Sequence, residues 1–439
     1  MEWSFSTREV APRLAWVRSL LLAACLGTML GSWPLWTNGR PFPVLPIAHW
    51  YPILPAPLDR ILFLGVLAAL AAAWRWYRKG VAIFLIGGLL LVLGDQCRLQ
   101  PWFYMYWVML LLTLAPERTA LATCRLALAT VYLWSGIQKC NPLFHQQVAP
   151  WFVQPIATLV SPGTLACLRQ AVDAAPVVEI LIAVALWLPW VRPVALGLVM
   201  TVHGAALLFL GPLGHDQNWI IWPWNLVMPG LAWALFPVSA TPGRWRWRWG
   251  SGASRIPSAQ GVEAPNGEGG LGLTSGRPGR GDGSVRSGAG GGRLRRGAWA
   301  FLVAALFASL PALSFVGAWD SYLSFSLYSG HLTQADLFIS ADLRERLPEA
   351  VRHFTPPTPE PYHPQLQGPY VVRVDLWSAA VLSVPPLPES RNYRNIARWM
   401  ASLAADSNEV RLVVIPRVGP ALFYRGSDLR REAGVSLGP

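Results

Sequence analysis

The sequence predicts an all-α polytopic membrane helix bundle of about nine spans, followed by a small C-terminal α+β extramembrane domain. Three observations predict it. Hydrophobic residues make up 53% of the 439-residue chain and charged residues only 13%, about half the charged share of a soluble domain. The apolar residues gather in nine segments parted by polar or Pro-broken turns. The 24 tryptophans fit many membrane–water crossings, because the amphipathic indole prefers that boundary.

The nine segments lie at 15–36, 60–77, 80–94, 102–116, 119–137, 174–190, 193–212, 219–238 and 297–318. Several are shorter than the ~20 residues that a bilayer core requires. The first follows Arg8, Arg13 and Arg18 and lacks a small-x-small cleavage site, so it reads as an uncleaved span. Arginine clusters mark the cytoplasmic side of such a chain. Arg75, Arg78 and Lys79, Arg118 and Arg125, and Arg192 alternate with poorly charged loops. A cell-membrane, multi-pass topology follows, with a cytoplasmic N-terminus and an extracytoplasmic C-terminal domain.

The domain boundaries come from composition. Residues 1–242 form the main bundle, of about eight spans. Residues 243–296 form a Gly/Arg-rich cytoplasmic linker holding ten Arg against three acids. Its composition predicts disorder and a loose tether for the ninth span. The Arg-Trp repeat at 244–249 suits a headgroup region. Residues 297–318 are the ninth span and 319–439 the external domain. That domain carries twelve Arg and twelve acids, so the net charge of +13 reports topology and not a nucleic-acid partner. Tyr370–Trp377 and Val410–Val418 read as strands. Glu389–Ala405 reads as an amphipathic helix with Ile396, Trp399, Met400 and Leu403 on one face. The domain holds no catalytic motif and suits a lid or a docking surface for a protein partner.

The unusual polar residues converge on one side of this topology. Asp95 and Arg98 lie in the turn before Trp102, Lys139 ends the fifth segment, and Glu179 and His203 lie inside the sixth and seventh. Trp224 and Asn225 open the eighth. Ionisable groups within spans face a cavity or a partner, and one outward-opening cavity would gather all of these. Lys139 is one of two lysines against 34 arginines. A desolvated Lys can lose its proton and act as a base, which Arg cannot. Lys139, His203 and Glu179 are therefore the candidate catalytic residues. Asp95, Arg98, Trp102, Trp224 and Asn225 are the candidate cofactor-binding residues. Each has a plainer reading. Lys139 can snorkel to the interface, Glu179 and His203 can pair, and Asp95 and Arg98 can bridge across their turn. Trp222-Pro-Trp-Asn225 can be an interfacial anchor. No CxxC or Cys/His spacing suits a metal. Cys140 and Cys167 share a loop and can form a disulfide, with Cys97 as a competitor.

Tyr132-x-x-x-Gly136-x-x-Lys139 at the end of a span resembles the segment bearing the catalytic lysine of vitamin K-dependent γ-glutamyl carboxylase. That enzyme belongs to the horizontally transferred transmembrane (HTTM) domain superfamily, which has many bacterial members. Asp95…Tyr104-x-Tyr106 is similar to the preceding helical hairpin of the family. The resemblance covers roughly residues 15–238. It implies that Lys139 is a base, that the substrate is lipophilic, and that the cofactor is a quinone or a vitamin K-like hydroquinone. The family's hairpin carries a functional histidine where Trp102 stands here, so the resemblance implies proton abstraction and not the full carboxylation reaction. Two alternatives stand beside it: a non-enzymatic membrane scaffold or transport subunit, and a DoxX-like thiol–quinone redox protein using Cys97 and Cys140.

Overall fold

The computed structural model describes residues 7–48, 50–216, 220–238, 291–359 and 368–432. Among the described residues eleven α-helices precede the first strand: α1 (Thr7–Gly31), α2 (Ala56–Ala72), α3 (Tyr77–Gly94), α4 (Pro101–Leu112), α5 (Glu117–Lys139), α6 (Ala149–Val153), α7 (Pro162–Asp173), α8 (Ala175–Ala185), α9 (Arg192–Leu210), α10 (Ile221–Leu235) and α11 (Gly291–Ser309). Each of the nine predicted segments holds a helix. Among the described residues five stretches are long and apolar enough to cross a membrane: Glu9–Gly31, Tyr77–Gly94, Glu117–Lys139, Arg192–Leu210 and Gly297–Val316. Pro101–Leu112 and Ala175–Ala185 are apolar but shorter. At 1.5 Å per residue they reach roughly 16–18 Å, against a bilayer core of ~30 Å.

Local chemistry sets the boundaries. The first span starts earlier than its apolar run and ends at Gly31, where the chain tightens into the 3-10 turn Trp33–Trp36. Pro101 stands at the first position of α4, where its missing N–H is not needed. α5 begins after Pro116 with Glu117 in its first turn and ends with Lys139 in its last, so both charges complement the helix dipole. The helix stops at Cys140, two residues before Pro142.

The C-terminal domain contains β1 (Gln334–Ile339), α12 (Ala341–Arg346), α13 (Glu349–Arg352), β2 (Tyr370–Val372), α14 (Val374–Leu382), α15 (Ser390–Leu403), β3 (Val410–Ile415), β4 (Leu422–Arg425) and α16 (Gly426–Glu432). The four strands form one antiparallel sheet in the order β2-β1-β3-β4. Val410, Leu412 and Val414 alternate inward along β3 and face α15, as period-two patterning requires. Two expectations need correction. The strand expected at Tyr370–Trp377 stops at Val372, and Val374–Leu382 is helical. The helix aims Trp377 at the bundle, where its ring lies 4.6 Å from Phe42 and its Nε1 donates to Pro41 O at 2.8 Å. Burial of one large ring overrides the strand preference of a β-branched run. In α15, Ile396 and Met400 are buried, but Leu403 is exposed and Asn392 is buried in its stead.

Residues Met1–Val238 and Arg296–Pro439 form one compact unit, and Ser239–Arg295 is a second unit. The predicted disorder of 243–296 and the Arg-Trp repeat lie outside the described residues up to position 290, and the linker's last residues belong to α11. The segment expected as the ninth span, which holds α11, is not loosely tethered. Trp134 Nε1 donates to Ala308 O at 2.8 Å, and the Phe307 ring lies 5.2 Å from Tyr104. A Cβ on Gly297 would meet Thr119 Oγ1 at 2.9 Å, so α11 seats closely on α5.

Candidate functional site

The site is built on one face of α5. Tyr132, Gly136 and Lys139 are spaced i, i+4, i+7 and so point the same way. This face packs against α8. A Cβ on Gly136 would fall 2.6 Å from Pro176 O and 2.8 Å from Ile180 Cγ1, so only glycine permits the approach. The close approach brings Glu179 to Lys139. Lys139 Nζ lies 2.8 Å from Glu179 Oε2 and 3.1 Å from Oε1, and it also donates to Ser135 Oγ at 2.5 Å and Ser135 O at 3.2 Å. Both side chains of the pair are about nine-tenths buried. Lys139 therefore turns into the protein, and the snorkelling geometry is not the one adopted.

A second polar chain begins two turns back, at Tyr132. His203 Nδ1 lies 2.8 Å from Asn225 Oδ1 on α10, and His203 Nε2 lies 2.9 Å from Tyr132 Oη. An amide oxygen only accepts, so it places the proton of a neutral imidazole on Nδ1. Nε2 is then the acceptor and Tyr132 Oη the donor. Lys139 and Glu179 both lie within electrostatic reach of His203. Glu179 pairs with Lys139 and makes no hydrogen bond to His203 among those described, so the expected Glu179–His203 pair is replaced by these two neighbouring chains. Four helices thus contribute: α5, α8, α9 and α10.

The remaining predicted residues divide into two groups. Asp95 pairs with Arg40 and accepts the Cys97 N–H at 3.0 Å. Arg98 is 4.0 Å from Asp95 and 3.9 Å from Asp59. Its shorter bonds go to Leu35 O, Leu91 O and Asn38 Oδ1 at 2.8–3.0 Å. These residues tie the α3–α4 turn to the chain after α1. They are engaged in structure, and none of their described bonds reaches Lys139, Glu179 or His203. Trp102 and Trp224 instead bracket Tyr106, with ring centroids 6.5 and 5.9 Å away. Tyr106 Oη is buried and has no hydrogen-bond partner among the described residues. Burying an unpaired hydroxyl costs about 1–3 kcal/mol. Nothing in the spacing of the two tyrosines marks Tyr132 as a partner of His203 or the Tyr106 hydroxyl as unpaired.

The outlying His and Cys residues are placed elsewhere. His215 stacks on Trp151 at 3.9 Å and bonds its carbonyl. His145 meets Asp173 at 3.0 Å. All five cysteines are free, so the anticipated Cys140–Cys167 disulfide is not formed. Cys140 and Cys167 are exposed, and the Cys140 thiol lies on Gly136 O of its own helix at 3.4 Å. Cys97 is fully buried against Asn392 Oδ1 at 3.7 Å.

The C-terminal domain grips the end of α5. Arg417 Nη2 donates to Gln138 Oε1 at 2.5 Å, and Asn141 Nδ2 donates to Ser329 O at 2.8 Å. Gln138 Nε2 donates to Ser314 Oγ at 3.0 Å. Lys139 sits between these anchors. A cavity of about 370 Å³ lies along the β3–β4 edge, lined by Arg411, Phe423 and Asp428 among others, and includes none of the predicted site residues. Compared with protein-family models, curated proteins and solved structures, the chain matches none.

Proposed function

We propose that this chain is a multi-pass membrane enzyme of the carboxylase-like HTTM type, with Lys139 and Glu179 as a proton-transfer pair. In this reading the N-terminus is cytoplasmic and the C-terminal domain extracytoplasmic. The shorter helices α2, α4, α8 and α10 complete nine spans, with α7 and α8 running nearly end to end. The observation that carries the proposal is the buried Lys139–Glu179 pair beside the Tyr132–His203–Asn225 chain, all reached from one face of α5.

The chemistry follows from the geometry. Moving one proton along the 2.8 Å Lys139–Glu179 bond turns an ion pair into a neutral amine and a carboxylic acid. A dry surrounding reduces the energy difference between these forms, because it penalises charges. The neutral amine then takes a proton from a substrate hydroxyl and becomes an ammonium ion again. A quinol would supply such a hydroxyl. The fit to a quinol is partial: Tyr106 Oη is an unused polar group, while Trp102 and Trp224 pack on Tyr106 and Asp95 and Arg98 are already engaged. Lys139→Arg and Lys139→Ala, assayed for quinol turnover in membranes, test the reading. Loss in both variants is expected, and unchanged turnover in both refutes it.

One observation favours a non-enzymatic scaffold: Lys139 already has partners for its donors in Ser135 and Glu179. In that reading the pair holds α5 to α8 and the external domain docks a protein partner. Crosslinking through the C-terminal domain in native membranes discriminates, because a chain that captures no partner argues against a scaffold.

A further inference from the structure

We infer that the β3–β4 hairpin is a membrane-docking element, seated in the lipid boundary at the end of the apolar stretch Gly297–Val316. The first observation is position. Gly317 directly follows the apolar stretch Gly297–Val316, and a Cβ built on Gly317 would lie 3.6 Å from Val418 Cβ. The hairpin tip therefore sits at the same level as the end of a membrane-crossing segment.

The second observation is the surface chemistry of the tip. Ile415, Val418 and Phe423 are 45%, 44% and 54% exposed, beside Phe315 at 46% and Val316 at 68%. They extend the exposed apolar surface of the stretch Gly297–Val316, on which Phe301, Leu302, Leu306 and Leu313 are also exposed. Within the tip sequence Ile415-Pro-Arg-Val-Gly-Pro-Ala-Leu-Phe423 the one charge is Arg417, and it is turned inward. Its guanidinium lies 5.0 Å from the Phe315 ring and donates to Gln138 and Ser326. Withdrawing the charge leaves an apolar tip.

The third observation is the gradation along the sheet. Arg411 pairs in register with Arg425 on the same face, four positions back from Ile415. At ~3.3 Å per residue that is roughly 13 Å from Ile415 and roughly 7 Å from Phe423. An apolar end buried ~5–10 Å into the headgroup–acyl boundary would leave this basic pair at phosphate depth. The occupant that fits is the bilayer itself, because the surface is continuous with a span and ends in basic residues at headgroup spacing. The inference rests on α11 crossing the membrane and is independent of the chemistry at Lys139.

The test uses the full chain in nanodiscs of phosphatidylcholine and phosphatidylglycerol. Cys140→Ser and Cys167→Ser remove the exposed thiols. Nitroxide labels are then placed singly at Val418→Cys and Phe423→Cys, with Leu306→Cys as the span reference and Glu345→Cys as the reference on the domain surface. Collision rates with oxygen and with a water-soluble nickel chelate are compared. A several-fold preference for oxygen is expected at 418, 423 and 306, and the reverse at 345. If 418 and 423 match 345 while 306 favours oxygen, the hairpin is in water and the inference is overturned. If 306 matches 345, the span reading itself fails. Labels at 418 and 423 shielded from both reagents would mean a protein covers the tip, which also overturns it. Should Val418→Cys not fold, the 423 site carries the same expectation.

Discussion

Gly136 has no room for a side chain. An added methyl meets Pro176 O at 2.6 Å and forces α5 and α8 apart. Gly136→Ala is expected to destabilise the protein by about 1–3 kcal/mol, the usual range for overpacking, read as a lower melting temperature in detergent. Lys139 and Glu179 make a sharper test. Lys139→Ala leaves a buried carboxylate unpaired and is expected to cost about 3–5 kcal/mol. The double variant Lys139→Ala/Glu179→Ala removes both charges and should be more stable than the single one. A double variant as unstable as Lys139→Ala would show that the ion pair is not what is lost. At this scale much was legible: the scarcity of lysine singled out Lys139, and intramembrane charge singled out Glu179 and His203. Partner choice was not legible, since Glu179 pairs with Lys139 and His203 with Tyr132 and Asn225 only because three helices meet α5 at particular rotations.

Among the elements, the joint between α5 and the C-terminal domain is the most exposed to test. Arg417 bonds Gln138 and Ser326. A bond to a charged donor contributes about 1.5–3 kcal/mol, so Arg417→Ala should loosen the domain and speed its cleavage in limited proteolysis. A pH test lies at the start of α15. Burial pushes the Glu389 carboxyl above its ordinary range, with the Asp320 charge adding to the shift and the Ser321 N–H and Arg391 opposing it. A folded-state value above the unfolded one favours the protonated form. Its stabilising contribution is present below the ordinary carboxylate range and is lost as pH rises through the raised value. Glu389→Gln keeps an oxygen for the Ser321 N–H. Its melting temperature relative to wild type should therefore rise between about pH 4 and 7. A constant difference across that window would contradict the assignment. The α15 helix was readable from its apolar period. The switch from β2 to α14 was not, because it depends on Trp377 reaching Phe42 more than three hundred positions earlier.

For the whole molecule, the bundle and the external domain are one compact unit and should fail together. Truncation after Gly317 removes Asn392 from Cys97, Arg391 from Gln96, Trp377 from Pro41 and Arg417 from Gln138. The expected outcome is a lower unfolding temperature and a Cys97 thiol that reacts with maleimide, where the intact chain protects it. Continued protection of Cys97 in the truncated chain would mean that the domain is not what covers the α3–α4 turn.

Composition and hydropathy alone mark several helices long and apolar enough to cross a membrane, and strand-forming residues mark a small mixed domain after the last of them. That information is local: apolar runs, Pro and Gly breaks and strand-forming residues act over a few positions each. The pairing of Lys139 with Glu179, the diversion of Asp95 to Arg40, the docking of α11 and the clamp of Arg417 on Gln138 were decided by tertiary structure. Each joins residues far apart in the chain. Whether they meet depends on helix rotation and on how closely backbones approach, which packing determines and periodicity does not record.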